Sequence, residues 1–97
     1  MSEDGLAPPT RYLSDLPEFM HGHRKKTLFF IDRLKRYAER AGLERRHMKV
    51  LELGCGNGRI VTLPVAEQGF EVLGLDSHLP SIDAARAHSR LAHVRFE

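Results

Sequence analysis

The segment from residue 50 to residue 61 constrains the fold of this 97-residue chain more than any other. It begins with an aliphatic run, Val-Leu-Glu-Leu, of the kind that forms buried strands in parallel sheets. A second apolar run, residues 60–66, is long enough to begin a helix. Between the two runs, glycines occupy three alternate positions, Gly54, Gly56 and Gly58. The segment predicts a strand, a tight turn and a helix, an arrangement in which backbone groups can approach a nucleotide-like ligand.

An acidic residue ends the next predicted strand. This strand covers residues 71–76, Glu-Val-Leu-Gly-Leu-Asp, and its last residue, Asp76, follows Gly54 by 22 positions. A carboxylate at the carboxyl end of a neighbouring strand can accept hydrogen bonds from both hydroxyls of a ribose. The pairing of glycine turn and strand-end acid therefore favours a cofactor that contains a ribose.

The glycine spacing distinguishes two classes of cofactor-binding loop. A dinucleotide fingerprint with glycines at positions 54 and 56 has its third glycine at position 59, where this chain has Arg59. The chain instead has an acid-x-Gly-x-Gly-x-Gly pattern that starts with Glu52. A nicotinamide dinucleotide-binding module of an oxidoreductase stays an alternative interpretation, and Arg59 counts against it.

Residues 49–97 resemble the opening of a class I S-adenosylmethionine-dependent methyltransferase. Residues 52–58, Glu-Leu-Gly-Cys-Gly-Asn-Gly, are similar to the first motif of that family, and residues 74–76, Gly-Leu-Asp, to its acidic strand end. The two motifs in the correct order are much more specific than a glycine loop alone. The resemblance implies an α/β, Rossmann-like three-layer fold, truncated here to its first half. That half comprises strands one to three of a mostly parallel sheet with flanking helices.

The resemblance also implies a cofactor, S-adenosyl-L-methionine, and the residues that bind it. Glu52 would orient the loop and help to hold the ammonium group of the cofactor, and Asp76 would bind the ribose. An acid inside an apolar strand needs a partner in any case, and a strand-end acid can also cap the following helix. The implied cofactor-binding residues are Glu52, Gly54, Cys55, Gly56, Asn57, Gly58, Asp76 and Ser77.

The chain departs from the family pattern after this acid. His78 stands where related enzymes commonly have serine or threonine, and Ser81 stands where a large apolar residue often contacts the adenine. The sequence indicates no catalytic residue. We interpret Cys55 as a small residue packed under the loop, because nothing suggests a base that would activate its thiol. The sequence indicates no metal site either, since the histidines lack the cysteine or carboxylate neighbours typical of zinc ligands.

The apolar periodicity predicts an arm and one small domain. Residues 1–20 contain Gly5 and three prolines without a sustained period, and we expect them to form a flexible arm. Its Tyr12, Phe19 and Met20 could close over the cofactor or pack on the sheet, and packing is the favoured interpretation. Residues 21–97 should form a partial methyltransferase domain, with a lead helix at 24–41, a cofactor-binding half at 48–97, and further helices at 58–68 and 79–92. Pro64 should cause a kink or occupy an early turn of its helix.

Composition restricts the partners and the compartment. The 41% hydrophobic and 29% charged residues are typical of a globular chain. We interpret the basic clusters at 24–26 and 45–47 as solvated surface rather than as a nucleic-acid interface. A single cysteine allows no intramolecular disulfide, and no apolar run approaches the roughly 20 residues of a membrane span. We therefore expect a cytoplasmic protein without a membrane partner.

The family order of strands predicts an open edge. Strand four normally pairs beside strand one, and this sequence supplies strands three, two and one only, so strand one should be an uncovered apolar edge. We expect a parent enzyme that methylates a small molecule, and an isolated chain without activity of its own. A non-enzymatic fragment that associates through the open edge is the second alternative.

Overall fold

A computed structural model describes Tyr12 and residues 22–97 and shows a three-stranded parallel sheet with flanking helices. The helices are α1 (Gly22–Ala41), α2 (Thr62–Glu67) and α3 (Leu79–His88), with a turn of 3-10 helix at Arg45–His47. The strands are β1 (Lys49–Leu53), β2 (Glu71–Leu75) and β3 (Val94–Phe96), in the order β1-β2-β3. Both pairs of neighbours are parallel, which confirms the predicted order and class of the sheet.

One face of the sheet carries the core. In the strand register, Val72 of β2 lies between Val50 of β1 and Val94 of β3, so the three valines share a face. The helices pack their apolar sides onto this face, and burial of the shared apolar surface is the main force that holds the elements together. The buried cluster consists of Ile31, Ala38, Leu63, Val65, Ala66, Phe70, Val72, Ile82, Ala85, Val94 and Phe96.

The predicted start of α2 at residue 58 is wrong, because turn structure continues after the glycines as far as residue 61. The helix begins at Thr62, and Pro64 lies in its first turn, where a missing N–H removes no helical hydrogen bond. The predicted early-turn position of Pro64 is thus confirmed. Residues 62–66 are all buried, as the apolar character of this segment indicates.

The other two helices also differ from their predicted bounds. α1 begins at Gly22, two residues earlier than predicted, and ends at Ala41 before Gly42, whose φ of 67° is typical of a left-handed helix stop. α3 ends at His88 instead of residue 92, because Ser89 takes an extended conformation with ψ 134°. Polar side chains on α1 are more buried than the apolar periodicity suggests. Thr27 is 2% exposed, and its hydroxyl donates to the carbonyl oxygen of Ile60 at 3.0 Å.

Tyr12 lies at the end of the sheet opposite the glycine turn. Its backbone N–H donates to Glu67 Oε1 at 3.2 Å, and its hydroxyl accepts from the N–H of Arg90 at 3.1 Å. Both partners lie where helices end and the chain returns to the amino ends of the strands. Tyr12 also packs against the buried cluster, in agreement with the packing interpretation. The rest of the predicted arm, residues 1–20, lies outside the described residues.

The second face of the sheet is largely exposed. Leu51 and Leu53 of β1 are 58% and 74% exposed, and Leu73 and Leu75 lie beside them in the register. The sequence predicted an exposed apolar edge at β1. In the structure, the exposed apolar surface includes this edge and continues onto the second face of the sheet. Among the helices of the described residues, none has the length and apolarity needed to span a membrane.

Substitution of Ile82 tests the position of the core. Ile82 is 1% exposed, so Ile82→Ala is expected to lower the free energy of unfolding by about 2 to 5 kcal/mol. Leu79→Ala is the matched control in the same helix, where the side chain is 69% exposed, and should change that free energy by less than about 0.5 kcal/mol. Urea denaturation followed by circular dichroism measures both. Equal losses in the two variants would contradict the packing described.

Candidate functional site

The carboxyl ends of β1 and β2 support a loop formed by residues 54–58. The backbone N–H groups of Gly54 and Cys55 both donate to the carbonyl oxygen of Leu75, at 2.8 and 3.0 Å. The end of β2 thereby fixes the start of the loop. The loop closes when the N–H of Gly58 donates to the carbonyl oxygen of Cys55 at 3.1 Å. The backbone of the loop is held by the sheet and by its own turn.

The three glycines of the loop serve two different purposes. All have a left-handed backbone, with φ of 70° at Gly54, 58° at Gly56 and 77° at Gly58. A Cβ atom at Gly54 or Gly56 would meet no atom within 4 Å, so the space beside them is open to a ligand. A Cβ atom at Gly58 would lie 2.6 Å from the ring of Phe96. Gly58 is therefore required by packing, whereas the other two leave the loop accessible.

Asp76 joins the loop to the start of α3. Its Oδ2 accepts the N–H of Gly56 at 2.8 Å, and its Oδ1 accepts the N–H of His78 at 2.8 Å. Its own N–H donates to the carbonyl oxygen of Glu97 at 3.1 Å, which extends the pairing of β2 with β3. The N–H of His78 and then that of Gly56 hold the pKa of the Asp76 carboxyl below its ordinary value. A carboxylate oxygen can accept more than one hydrogen bond, so Asp76 keeps acceptor capacity for a ligand hydroxyl.

Glu52 is a half-buried acid near the end of β1. Its Oε1 accepts a hydrogen bond from the hydroxyl of Thr62, the first residue of α2. Burial raises the pKa of the Glu52 carboxyl, and the hydrogen bond from Thr62 opposes that shift. The carboxyl borders a cleft of about 270 Å³ lined by Phe30, Val50, Leu51, Glu52, Val61, Thr62, Val65 and Val72.

Cys55 packs beneath the loop. Its Sγ would lie 2.9 Å from a Cβ atom at Gly74, so the glycine in β2 makes room for it. Burial, followed by the charges of Glu52 and Asp76, raises the pKa of the Cys55 thiol. A thiol that is harder to ionise is a poor nucleophile, which agrees with the interpretation of Cys55 as a packing residue.

The remaining predicted residues lie on exposed turns. Asn57 Oδ1 accepts the N–H of Arg59 at 3.1 Å and stabilises the turn after the loop. Ser77 is exposed beside Asp76. The two residues that depart from the family pattern contact each other, since Nδ1 of His78 lies 2.7 Å from Oγ of Ser81. Within Tyr12 and residues 22–97, no three side chains of the metal-binding types gather at one point.

The structure adds two residues that the sequence pattern did not single out. Thr62 holds Glu52, and a threonine inside an apolar helical run is the signal that could have indicated a buried partner. Phe96 supports Gly58 from β3, and its carbonyl oxygen accepts two hydrogen bonds from the guanidinium of Arg86, at 3.1 and 2.7 Å. No local pattern predicts the contact of Phe96 with the loop, because it depends on how the strands assemble.

A glycine loop and a strand-end acid at adjacent carboxyl ends define a cofactor-binding α/β unit. Residues 15–97 match the methyltransferase domain family, and the chain belongs to that family. This confirms the resemblance noted in the sequence and does not favour the nicotinamide-binding alternative.

Individual relatives agree with this membership. A 49-residue segment is 37% identical to the ubiquinone biosynthesis O-methyltransferase of Rickettsia canadensis and covers 50% of this chain and 20% of that protein. The same identity over 49 residues is found with the Rickettsia conorii enzyme, covering 50% of this chain and 17% of that protein. The matched segment thus spans about a fifth of the length of these curated relatives.

A solved structure shows the same fold. The magnesium protoporphyrin IX methyltransferase of Synechocystis PCC 6803, crystallised with bound SAH, superposes with a TM-score of 0.55 at 18% identity. The superposition covers 86% of this chain and 39% of that protein. The Rossmann-like fold class predicted from the sequence is confirmed by this likeness, with the chain matching only part of the larger protein.

Replacement of Gly58 tests whether packing requires this glycine but not Gly56. Gly58→Ala combines left-handed strain of about 1 to 2 kcal/mol with overpacking against Phe96 of about 1 to 3 kcal/mol. Gly56→Ala incurs the strain without the clash, so it should lower the free energy of unfolding by less. Urea denaturation of both variants checks the order. A Gly56 variant less stable than the Gly58 variant would show that Phe96 does not support the loop.

Proposed function

We propose that this chain forms the S-adenosyl-L-methionine-binding part of a methyltransferase. The observation that carries the proposal is the hydrogen bond from the Gly56 N–H to the Asp76 carboxylate, which unites the two motifs in one site. The site lies at the carboxyl ends of adjacent parallel strands, where open α/β sheets bind their ligands. Family membership supports the same function.

The residues of the site fit the groups of this cofactor. Asp76, with Ser77 beside it, accepts hydrogen bonds from the ribose hydroxyls. The loop of Gly54, Cys55, Gly56, Asn57 and Gly58 lies against the methionine part, where the open space at Gly54 and Gly56 admits a ligand. Glu52 offers a carboxyl group to the ammonium group. The bound cofactor supplies an electrophilic methyl group on a sulfonium, and two nearby acids suit its positive charges.

The acceptor that we propose is a small molecule. The basic cluster at 45–47 supports this choice, because two of its side chains engage the protein itself. A guanidinium nitrogen of Arg45 donates to the carbonyl oxygen of Gln68 at 3.1 Å, and Arg46 Nε donates to Glu44 at 2.6 Å. We propose no nucleic-acid or membrane partner. We also propose a cytoplasmic location, with which a single cysteine is consistent. In-line placement of the acceptor would provide most of the catalysis, and we assign no general base.

The domain organisation that we propose follows the sequence prediction. We propose that residues 21–97 form a partial methyltransferase domain, with the cofactor-binding half at 48–97, preceded by the arm that the sequence predicts for residues 1–20. We propose that the isolated chain binds the cofactor without efficient methyl transfer. Robust turnover by the isolated chain with a small-molecule acceptor would overturn this part of the proposal.

Calorimetric titration with S-adenosylhomocysteine tests the function. The wild-type chain is expected to bind saturably, and Asp76→Ala should weaken binding at least about tenfold, because charge-assisted hydrogen bonds contribute about 1.5 to 3 kcal/mol. Asp83→Ala is the matched control, since it removes an exposed acid from α3 and should leave affinity unchanged. Absence of binding by a folded chain, or tighter binding of NAD, would contradict the proposal.

The exposed leucines of β1 support a second, non-enzymatic candidate. Leu51 and Leu53 are largely exposed on a strand edge that is unpaired within the described residues, and such edges can pair with another chain. We propose self-association of this chain through the edge of β1.

Sedimentation velocity over a range of concentrations tests self-association. The wild-type chain should form a concentration-dependent dimer, and Leu53→Lys should shift it to monomer, because a charge on an edge strand opposes pairing. Leu79→Lys is the matched control, since Leu79 is 69% exposed but lies on α3. If both lysine variants dissociate the dimer equally, or the wild type stays monomeric, the edge does not mediate association.

A further inference from the structure

Thr62 occupies a position from which it can control Glu52. It is 0% exposed, within a run of buried residues that is otherwise apolar. A hydroxyl group in such surroundings needs a hydrogen-bond partner, and the hydroxyl of Thr62 donates to Glu52 Oε1. The half-buried acid of β1 is therefore met by the only hydroxyl side chain of this helix.

The backbones on both sides of this hydrogen bond are fixed. Glu52 lies in β1 opposite Gly74 of β2 in the parallel register. Thr62 begins α2, and the N–H of the next residue, Leu63, donates to the carbonyl oxygen of Gly58 at 2.8 Å. The bond between Glu52 and Thr62 therefore spans the glycine loop from strand to helix. It determines where the carboxyl group of Glu52 lies relative to the loop.

Because Glu52 is half-buried, the hydrogen bond from Thr62 affects whether the carboxyl group of Glu52 is charged. Glu52 lines a cleft whose other residues are mostly apolar, and burial favours the protonated form, whereas a hydroxyl donor favours the carboxylate. Cys55 on the loop is the titratable group that interacts with Glu52, and Asp76 acts on the same thiol. The other residues that line this cleft are Phe30 of α1, Val50 and Leu51 of β1, Val72 of β2, Val61 before α2, and Thr62 and Val65 of α2. Gly74 of β2 lies opposite Glu52 in the strand register.

We propose that Thr62 is a positioning residue, whose hydroxyl holds Glu52 as an oriented carboxylate that accepts the ammonium group of the cofactor. This inference rests on the proposed function, since it assigns the ammonium group to Glu52. It goes further in naming a residue outside both sequence motifs. Thr62 acts through Glu52 and not by contact with the ligand.

The first test measures the titration of Glu52 in the free chain by carboxyl-detected NMR. Thr62→Val removes the hydroxyl, so the pKa of Glu52 should rise above its wild-type value, because a donor that favours the carboxylate is lost. Thr62→Ser keeps the hydroxyl and should restore a value close to wild type. Thr27→Val is the matched control, because it removes another buried threonine hydroxyl that donates to Ile60 and not to Glu52. An unchanged pKa in Thr62→Val would overturn the proposal.

If Thr62→Val fails to fold, an NMR titration of the wild type tests the hydrogen bond between Thr62 and Glu52. The β-carbon resonance of Thr62 should then titrate with the same midpoint as the carboxyl of Glu52, since the two groups share a hydrogen bond. Independent behaviour of the two resonances would overturn the proposal without any variant.

The second test follows the affinity for S-adenosylhomocysteine, whose amino acid part carries the same ammonium group, as a function of pH. The carboxylate is needed for binding, so affinity falls as pH drops through the pKa of Glu52. Thr62→Val should move this fall to higher pH and weaken binding about tenfold, whereas Thr62→Ser should behave like wild type. If Glu52→Gln abolishes binding but Thr62→Val keeps the wild-type dependence of affinity on pH, the role of Thr62 is overturned and the role of Glu52 is not. Failure of the wild type to bind would overturn the proposed function, and the NMR titration would still decide whether Thr62 controls Glu52.

Discussion

Two hydrogen bonds to the carboxylate of Asp76 connect the separate parts of this α/β unit. One comes from Gly56 in the loop after β1, and the other from His78 at the start of α3. A short acidic side chain at the end of β2 is the group that can reach both donors, because the parallel order brings the two strand ends together. The position of the loop therefore depends on the pairing of β1 with β2, and the same two hydrogen bonds orient the carboxylate of Asp76.

The sequence predicted the order of the elements and the elements that meet at the site. Alternating glycines after an aliphatic run indicate a turn whose backbone has positive φ, and the loop glycines adopt φ between 58° and 77°. The acid of the second strand was also placed correctly at the strand end, where it contacts the loop. Local chemistry decides these features, since they depend on backbone conformation, apolar runs and residue spacing over a few positions.

Features that depend on assembly were missed or misplaced. The start of α2 was predicted four residues too early, because the apolar run already begins at Ile60, inside the turn at residues 59–61, and so conceals where the helix starts. Phe96 supports Gly58 across a separation of 38 positions, which no local pattern encodes. The exposed face with Leu51 and Leu53 was predicted as an edge only, since the sequence does not say on which side of the sheet the helices pack. The local sequence thus determines which helices and strands form. Tertiary contacts determine where these elements begin and end and which side chains support them.

The hydrogen bond from Thr27 to the carbonyl oxygen of Ile60 links α1 to the chain segment between the loop and α2. This partly buried carbonyl accepts from a side chain of another helix, so it loses that partner whenever α1 detaches from the sheet. Local unfolding of α1 and of the turn before α2 should therefore belong to one cooperative unit. A ligand that orders the loop would stabilise this unit as a whole. Amide protons along α1 would then exchange more slowly on ligand binding, although the helix is separated from the glycine loop in sequence.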